Sequence, residues 1–299
     1  MSQELYELYE RNFPFIVREK ETVLRILQNE GNTFIEQRDE QNKLIGISVI
    51  NQNTVLLLCV DAEHRNKGIG TKLLTMSEDA VRAGGYDKIV IGNGFDYIMP
   101  GVPTSKRCVD AESEELYPGL DETASDFFAK RGYTHSWQCN CFDMRFPLNR
   151  FERDTYHVGD TVEGITYRFA AIDDLEGICA CTDDACPEFT QYYRSESLYT
   201  AGNDTRVLIA VSDGQVVGTL IVGVEDAGKH LGSVGCTTVK RAYQGRHIAV
   251  NLVTIGTKYL RDIGFEEAYL SYTYTGLDHM YGYAGYKICI YFMMAEKEL

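Results

Sequence analysis

The segment from residue 60 to residue 72, Val-Asp-Ala-Glu-His-Arg-Asn-Lys-Gly-Ile-Gly-Thr-Lys, combines residue types that bind phosphate groups. Gly68 and Gly70 allow the backbone to curl so that successive N–H groups face one concavity, beside the free N–H groups of a helix start. Positive charge comes from three side chains, those of Arg65, Lys67 and Lys72. The segment therefore predicts a site for a phosphate or a pyrophosphate.

The spacing of the two glycines separates the known classes of phosphate loop. A Walker loop has four residues between its first glycine and a Gly-Lys pair, and a Rossmann loop has a third glycine and a carboxylate about 20 residues later. Gly68 and Gly70 satisfy neither pattern. The remaining pattern is Arg-x-x-Gly-x-Gly, from Arg65 to Gly70, directly after an apolar run that ends in Val60.

The elements around this loop must hold it in place. The hydrophobic periodicity and the polar turns predict a helix, two strands of a hairpin, a strand, a helix and a strand, at about residues 23–27, 33–37, 44–50, 54–60, 70–83 and 88–92. Gly84 and Gly85 end the second of these helices. A long irregular stretch from about Phe95 to Glu122 follows, and we expect either a cover over a substrate site or a disordered surface insertion.

The second half of the chain repeats this order. A strand, two helical segments, a hairpin of two strands, a strand, a helix and a strand are predicted at about residues 165–169, 175–181, 191–199, 207–211, 216–222, 232–239, 249–263 and 268–272. A repeated supersecondary pattern indicates two related domains. The polar stretch from Pro147 to Gly164 lies between them, so we predict domains of residues 1–150 and 151–299, with the boundary near residues 150–163.

The loop and its surroundings resemble those of the GNAT (GCN5-related N-acetyltransferase) superfamily. Arg65 to Gly70 is similar to the pyrophosphate loop of that family. Two later segments, Ala124–Tyr133 and Leu277–Tyr286, resemble the family's helical segment before its final strands. The resemblance covers most of both halves and indicates a tandem, two-domain member.

This resemblance implies two mixed α/β domains, each with a splayed mixed sheet flanked by helices. Acetyl-CoA would be the co-substrate, with its pyrophosphate on the loop and its pantetheine against the preceding strand. In the first half the residues so implied are Leu58, Val60, Arg65, Asn66, Lys67, Gly68, Ile69, Gly70, Thr71 and Lys72. In the second half they are Val239, Gln244, Gly245, Arg246, His247, Ile248 and Ala249. An amine would attack the thioester directly while a backbone N–H polarises its carbonyl.

The two halves depart from the family pattern at different positions. Where the family often has a tyrosine that protonates the leaving thiolate, the first half has Phe128 and the second has Tyr281. A phenyl ring has no proton to give, so Tyr281 is the candidate catalytic residue. His247 stands where the first loop has Gly68, and its imidazole could clash with a phosphate oxygen or donate to it. The first half therefore has the intact acyl-CoA loop and the second half has a diverged loop and the candidate acid. Either the first half binds acyl-CoA and uses another group for proton transfer, or the second half catalyses and the first is a binding or structural partner.

No carboxylate occurs on either strand that precedes a loop, where the family sometimes has a general base. Glu225, Asp226 and His279 are alternatives, and each can equally be read as a surface residue.

The composition restricts the classes of function. A formal net charge of −15 argues against nucleic-acid binding, which needs a positive surface. No apolar run approaches the roughly 20 residues that span a bilayer, and the N-terminus lacks signal-peptide features, so we expect a cytoplasmic protein. The nine cysteines are scattered, which predicts free thiols. Cys179, Cys181 and Cys186 lack the paired spacing of a zinc site, so no metal is expected.

The sequence therefore predicts an N-acetyltransferase that acts on an amine of a small molecule or a protein. The alternative is a non-catalytic CoA-ester sensor or interaction protein, which Phe128 and His247 would explain. Transfer of another acyl group is a third alternative, because the loop recognises CoA and not its acyl group. Neither the acceptor nor the oligomeric state has a signature in the sequence.

Overall fold

The computed structural model describes residues 2–92, 97–107, 114–120, 123–135, 141–153, 156–226, 228, 230–274 and 276–299. The chain forms two compact units. The first comprises Met1–Asp110, Leu116–Phe142 and Cys289–Leu299, and the second comprises Ala111–Glu115 and Asp143–Ile288. A single cut at residue 150 does not reproduce this division, because the last strand of the chain belongs to the first unit.

Helices and strands alternate along the first part of the chain. The elements in order are α1 (Ser2–Asn12), α2 (Lys20–Leu27), β1 (Asn32–Arg38), β2 (Leu44–Asn51), β3 (Thr54–Val60), α3 (Ile69–Ala83), β4 (Lys88–Ile91), β5 (Val102–Thr104), α4 (Thr123–Ala129), β6 (Thr134–His135) and β7 (Cys141–Pro147). A 3-10 turn, Ala62–His64, separates β3 from the loop that precedes α3.

The later part of the chain has the same alternation. Its elements are β8 (Thr161–Val162), β9 (Ile165–Phe169), α5 (Leu175–Ala185), β10 (Arg206–Ser212), β11 (Gln215–Asp226), β12 (Leu231–Val239), α6 (Ile248–Asp262), β13 (Glu267–Tyr274), α7 (Asp278–Ala284), β14 (Lys287–Met293) and β15 (Ala295–Glu298). The predicted helical segment at 191–199 consists instead of two 3-10 stretches, Pro187–Tyr193 and Glu196–Tyr199.

The sheet of the first unit has the strand order β1-β2-β3-β4-β15-β6. β1, β2 and β3 are antiparallel neighbours. β3 and β4 are parallel and pair only at Thr54↔Val90 and Val55↔Ile91, so the remainder of β3 extends beyond its pairing with β4. Helix α3 covers this sheet because its apolar residues recur on one face, and Leu73, Leu74 and Val81 enter the core.

The sheet of the second unit contains the order β7-β13-β12-β11-β10-β9-β8. β12 and β13 are parallel from Leu231↔Glu267 to Ser233↔Tyr269. Pairing ends there, although both strands continue through described residues to Val239 and Tyr274. In the second unit the two adjacent parallel strands therefore separate before the loop, the splayed arrangement that the sequence predicted, and in the first unit β3 continues beyond its pairing with β4.

The two long helices are followed by corresponding glycines. Gly85 and Gly264 have positive φ values of 84° and 99°, whereas Gly84 has a right-handed conformation. Gly85 is therefore the counterpart of Gly264. A positive φ at this position is the usual ending of an α-helix, and glycine adopts it without steric cost.

Part of the irregular stretch after β4 is buried. Residues 97–104 are buried, and β5 pairs with Tyr291, Phe292 and Met293 of β14. The Met99 N–H donates to the carbonyl of Leu56 on β3. Part of the predicted insertion, including residues 108–113, lies outside the described residues. Residues 97–104 belong to the first unit, which corrects the expectation of a surface insertion for this part, whereas residues 106, 107, 118 and 119 are exposed.

Candidate functional site

The two predicted cofactor loops have the same backbone conformation. In the first, Asn66 and Gly68 have positive φ values of 60° and 83°, and in the second Gly245 and His247 have values of 77° and 59°. Each loop thus has two left-handed positions. The glycine occupies the second position in the first loop and the first position in the second loop. A left-handed conformation costs a non-glycine residue about 1 kcal/mol, which a folded domain can absorb.

Both loops end at the start of a 15-residue helix. Gly68 and His247 are the N-cap residues of α3 and α6, and neither helix start has a side-chain cap hydrogen bond. The first N–H groups of each helix are left for another acceptor, and a phosphate suits them because of their direction and the helix dipole. A Cβ atom built on Gly68 would have no other heavy atom within 4 Å. The His247 side chain is exposed, so its imidazole is not buried inside the loop.

The leading polar residue of each loop braces the loop from within. Nε of Arg65 donates to the Val60 carbonyl at 3.1 Å, and its Nη2 donates to Oδ1 of Asn12 at 3.0 Å. Nε2 of Gln244 donates to the Val239 carbonyl at 3.3 Å. Arg65 and Gln244 therefore perform the same local task, which is to tie the loop back to the end of the preceding strand.

The other basic residues of the first loop also have contacts within the protein. Nζ of Lys67 donates to the Glu63 carbonyl at 3.1 Å, and Nζ of Lys72 donates to Oε1 of Gln37 at 2.8 Å. Both side chains are exposed, so their charges stay near the loop. In the second loop, the guanidinium of Arg246 lies 5.3 Å from the centre of the Tyr243 ring.

Arg131 is a residue of the first unit that the sequence analysis missed. Its Nη2 donates to Oγ1 of Thr71 at 2.6 Å, in the first turn of α3, and its guanidinium stacks 3.7 Å from the centre of the Phe127 ring. The Phe127 ring lies 3.5 Å from a Cβ atom built on Gly70. Phe127 and Arg131 thus cover part of the helix start in this unit, and no local pattern announced the contact.

The apolar residues among the predicted loop positions have structural contacts. Leu58, Val60 and Ile69 are partly buried against the core of the first unit. In the second unit Val239 and Ile248 are buried and Ala249 is half-buried. These side chains anchor the loop.

Tyr281 lies beside the strand that leads to the second loop. Its side chain is buried, and its hydroxyl is 3.4 Å from Oγ1 of Thr237 on β12, the reach of a long hydrogen bond. Burial raises the pKa of Tyr281 to about 12, an effect that the Thr237 contact partly offsets. The phenol therefore holds its proton at neutral pH, as a general acid must.

The corresponding position in the first unit has no acid. Phe128 is buried in the apolar core and packs edge-on against Phe127 and Tyr133, with ring centres 5.1 Å and 5.4 Å away. On β3, Cys59 is covered by helix α1, and its Sγ lies 3.9 Å from the Leu8 carbonyl. The first unit thus keeps the loop and lacks the proton donor.

The candidate general bases are not assembled with Tyr281 by any described contact. The His279 side chain is 62% exposed, with Nε2 3.8 Å from Oδ2 of Asp278. Glu225 is half-buried at the end of β11, and the side chain of Asp226 lies outside the described residues. Cys179, Cys181 and Cys186 are free thiols, and no group of three metal-ligating side chains occurs in the described part of the chain.

Comparison with known proteins gives a consistent family. The family model described as Acetyltransferase (GNAT) family matches residues 2–94 and 174–286, more than half of the chain and one segment in each unit. No curated protein sequence matches the chain.

Within the described residues, none of the helices has the length and apolar character needed to cross a membrane.

Three solved structures share the fold over nearly the whole chain. The glucosamine N-acetyltransferase region of a fungal multi-domain GH3 β-N-acetylglucosaminidase is 19% identical, with a TM-score of 0.72 over 99% of this chain and 37% of that one. A GCN5-related N-acetyltransferase from Sphaerobacter thermophilus is 18% identical, with a TM-score of 0.68 over 99% and 91%. A tandem GNAT protein from the clavulanic acid biosynthesis pathway is 14% identical, with a TM-score of 0.70 over 99% and 94%.

At these identities the structural similarity shows the fold alone, and this chain spans little more than a third of the fungal protein. The family match supplies the assignment that the fold by itself does not. Its two segments contain both loops, the helix starts at Gly68 and His247, and the position of Tyr281. The chain belongs to the GNAT acetyltransferase family and is a tandem member of it.

Proposed function

We propose that the chain is an N-acetyltransferase that transfers an acetyl group from acetyl-CoA to an amine, and that the second unit carries the reaction. The observation on which this rests is the position of Tyr281, a buried and protonated phenol within reach of Thr237 on the strand that leads to the second loop. The first unit has Phe128 there.

The residues of the second loop fit the co-substrate. The N–H groups at the start of α6 have no side-chain cap and suit a pyrophosphate. Arg246 is exposed beside them and adds positive charge. Acetyl-CoA supplies an activated acyl group as a thioester, and everything else in the reaction is positioning and proton transfer.

The chemistry assigned to the second unit has three parts. The neutral amine forms a bond to the thioester carbonyl carbon, and the bond from that carbon to sulfur breaks. A backbone N–H at the separated end of β12 polarises the carbonyl oxygen. Tyr281 gives its proton to the departing thiolate, and the amine nitrogen loses one proton to solvent or to a base that the contacts do not identify.

The first unit is proposed to be the non-catalytic partner. It has no donor at Phe128, α1 covers its strand at Cys59, and Phe127 and Arg131 cover part of its helix start. Met280 stands in place of Phe127 in the second unit. These differences favour acetyl-CoA binding in the second unit over the first.

The experiment is a calorimetric titration of acetyl-CoA into the whole protein and into the variants Gly68→Trp and His247→Trp, together with thiol release in the presence of a panel of amines that includes an amino sugar. We expect one site, lost in His247→Trp and kept in Gly68→Trp. Loss in Gly68→Trp alone would move the site to the first unit. Absence of any binding would overturn the proposal.

A second candidate is a CoA-ester sensor without turnover, and the covered first unit is the observation in its favour. It predicts acetyl-CoA binding without amine-dependent thiol release. It also predicts that Tyr281→Phe changes nothing that can be measured, whereas the acetyltransferase proposal requires a large loss of rate.

A further inference from the structure

Two residues with unusual backbone conformations lie on the two strands that separate in the second unit. Cys236 on β12 has a φ of 50°, and Tyr272 on β13 has a φ of 53°. The last pair between these strands is Ser233↔Tyr269, so each residue lies three positions beyond it. The two separating strands therefore each have a left-handed residue at the same distance along the strand from their last pair.

These conformations are unfavourable for both residue types. A non-glycine residue in the left-handed region costs of order 1–3 kcal/mol when its surroundings must hold it there, and such residues cluster at functional sites. In the first unit, no residue of β3 has a positive φ, and the position three residues beyond Ile91 lies outside the described residues. On the strand that leads to the loop, the left-handed residue therefore occurs in the unit that has Tyr281.

A buried tyrosine holds the first of the two residues. The Tyr193 hydroxyl donates to the Cys236 carbonyl at 2.5 Å and accepts from Oγ1 of Thr219 at 3.0 Å. Tyr193 is fully buried, and the Thr219 and Thr238 hydroxyls are 2.5 Å apart beside it. The pairing of β11 with β12 shifts register at this point, so Cys236 lies in a bulge.

A buried carboxylate holds the second residue. Oδ1 of Asp143 on β7 accepts from the Tyr272 N–H at 2.7 Å, and its Oδ2 accepts from the Tyr269 hydroxyl at 2.9 Å. Asp143 is 2% exposed. The bond from the Tyr272 N–H points to β7 and therefore away from β12, and the second bond holds the Asp143 carboxyl group in place.

We propose that Tyr193 and Asp143 are positioning residues that keep β12 and β13 apart in the second unit and fix the bulge beside which Thr237 and Tyr281 meet. Without these bonds the left-handed conformations of Cys236 and Tyr272 would lose the partners that hold them, and the bulge would lose its fixed geometry. The expected effect on kcat rests on the proposed function. The expected effect on the backbone of β12 and β13 does not.

The first test compares Tyr193→Phe and Asp143→Ala with the matched control Tyr167→Phe. Tyr167 is fully buried in the same unit and its hydroxyl accepts one bond, from Nδ2 of Asn251. We expect kcat to fall about 10- to 100-fold in the first two variants, since a displacement of about 1 Å has this effect. The control should keep kcat within about twofold while losing a comparable amount of thermal stability.

Two rescues separate positioning from simple loss of stability. Cys236→Gly in the Tyr193→Phe background should recover kcat, because glycine adopts a positive φ without a partner. Thermal unfolding of the same double variant should show a gain in stability too small to account for this recovery. Asp143→Asn should recover most of the activity lost in Asp143→Ala, because its amide oxygen can still accept from the Tyr272 N–H. A stability effect alone predicts neither recovery.

A third measurement does not depend on turnover. Amide hydrogen exchange at residues 235–238 should be about tenfold faster in Tyr193→Phe than in the unaltered protein, with residues 207–211 of β10 unchanged. If no amine is acetylated by the unaltered protein, the proposed function fails while this measurement still decides the inference. Exchange within about twofold of the unaltered protein at residues 235–238 would overturn it.

Discussion

Gly68 and His247 occupy the same structural position, the N-cap of a 15-residue helix, and both have a left-handed backbone there. The second loop has its glycine two positions earlier, at Gly245. The geometry of the loop is therefore kept although the side chains that produce it are exchanged. An anion site made of N–H groups depends on that geometry and not on the side chains.

Exchanging these two residues should change stability and not the loop. We expect His247→Gly to raise the free energy of unfolding by up to about 1 kcal/mol, because the strain of φ 59° disappears. Gly68→His should lower it by about the same amount. Differential scanning calorimetry of both variants checks this, and a lower melting temperature for His247→Gly would contradict the strain argument.

Tyr281→Phe should lower kcat by about 10²-fold, within the range that a general acid contributes, and leave the KM for acetyl-CoA nearly unchanged. The ring remains in its buried site, so packing against Tyr286 is preserved. Steady-state measurement of thiol release provides both constants. Tyr283→Phe is the matched control, because Tyr283 lies on the same helix and is 65% exposed. Equal rates for both variants would remove Tyr281 from the mechanism.

The pH dependence of the reaction should reflect the buried phenol. Burial raises the pKa of Tyr281 to about 12, so the acid form persists above pH 10, where an ordinary tyrosine begins to ionise. We expect kcat to rise as the amine loses its proton and to show no fall by about pH 10.5. The raised pKa also means that the associated stability is complete below about pH 10 and decreases as the pH rises towards 12. A kcat that halves near pH 9 would contradict this assignment.

Lys297→Met should destabilise the first unit. Nζ of Lys297 donates to Oε1 of the buried Glu78 at 2.9 Å, and the Tyr133 hydroxyl donates to the same oxygen at 3.1 Å. Removing the lysine leaves a buried carboxylate with one partner fewer, and we expect a loss of about 1–2 kcal/mol. Lys130→Met, at an exposed position of the same unit, is the control for loss of charge. Thermal unfolding of both variants provides the comparison.

The local parts of the site could be predicted from the sequence because their signals are local. The loop from Arg65 to Gly70 and the helices α3 and α6 were placed within about one residue, since glycine and apolar periodicity mark them directly. The equivalence of the two halves followed from the order of these elements. The structure and the family match confirm the tandem fold.

The parts that depend on distant pairing could not be predicted. Tyr193 reads as one of twenty tyrosines and Asp143 as an ordinary polar residue, because only the fold brings them to Cys236 and Tyr272. Arg131 reaches Thr71 across 60 positions of sequence. Helix α1 lacked a strong apolar run, and its burial of Leu5 and Leu8 comes from the sheet it covers.

The position of β15 in the first sheet affects how the protein is made. This strand lies between β4 and β6, and its residues 295–298 leave the ribosome after every other strand of both sheets. While the second unit is being translated, β4 and β6 of the first unit lack the strand that later pairs with both of them. Folding from the first residue onward is therefore not open to this chain, and its N-terminal unit is completed last.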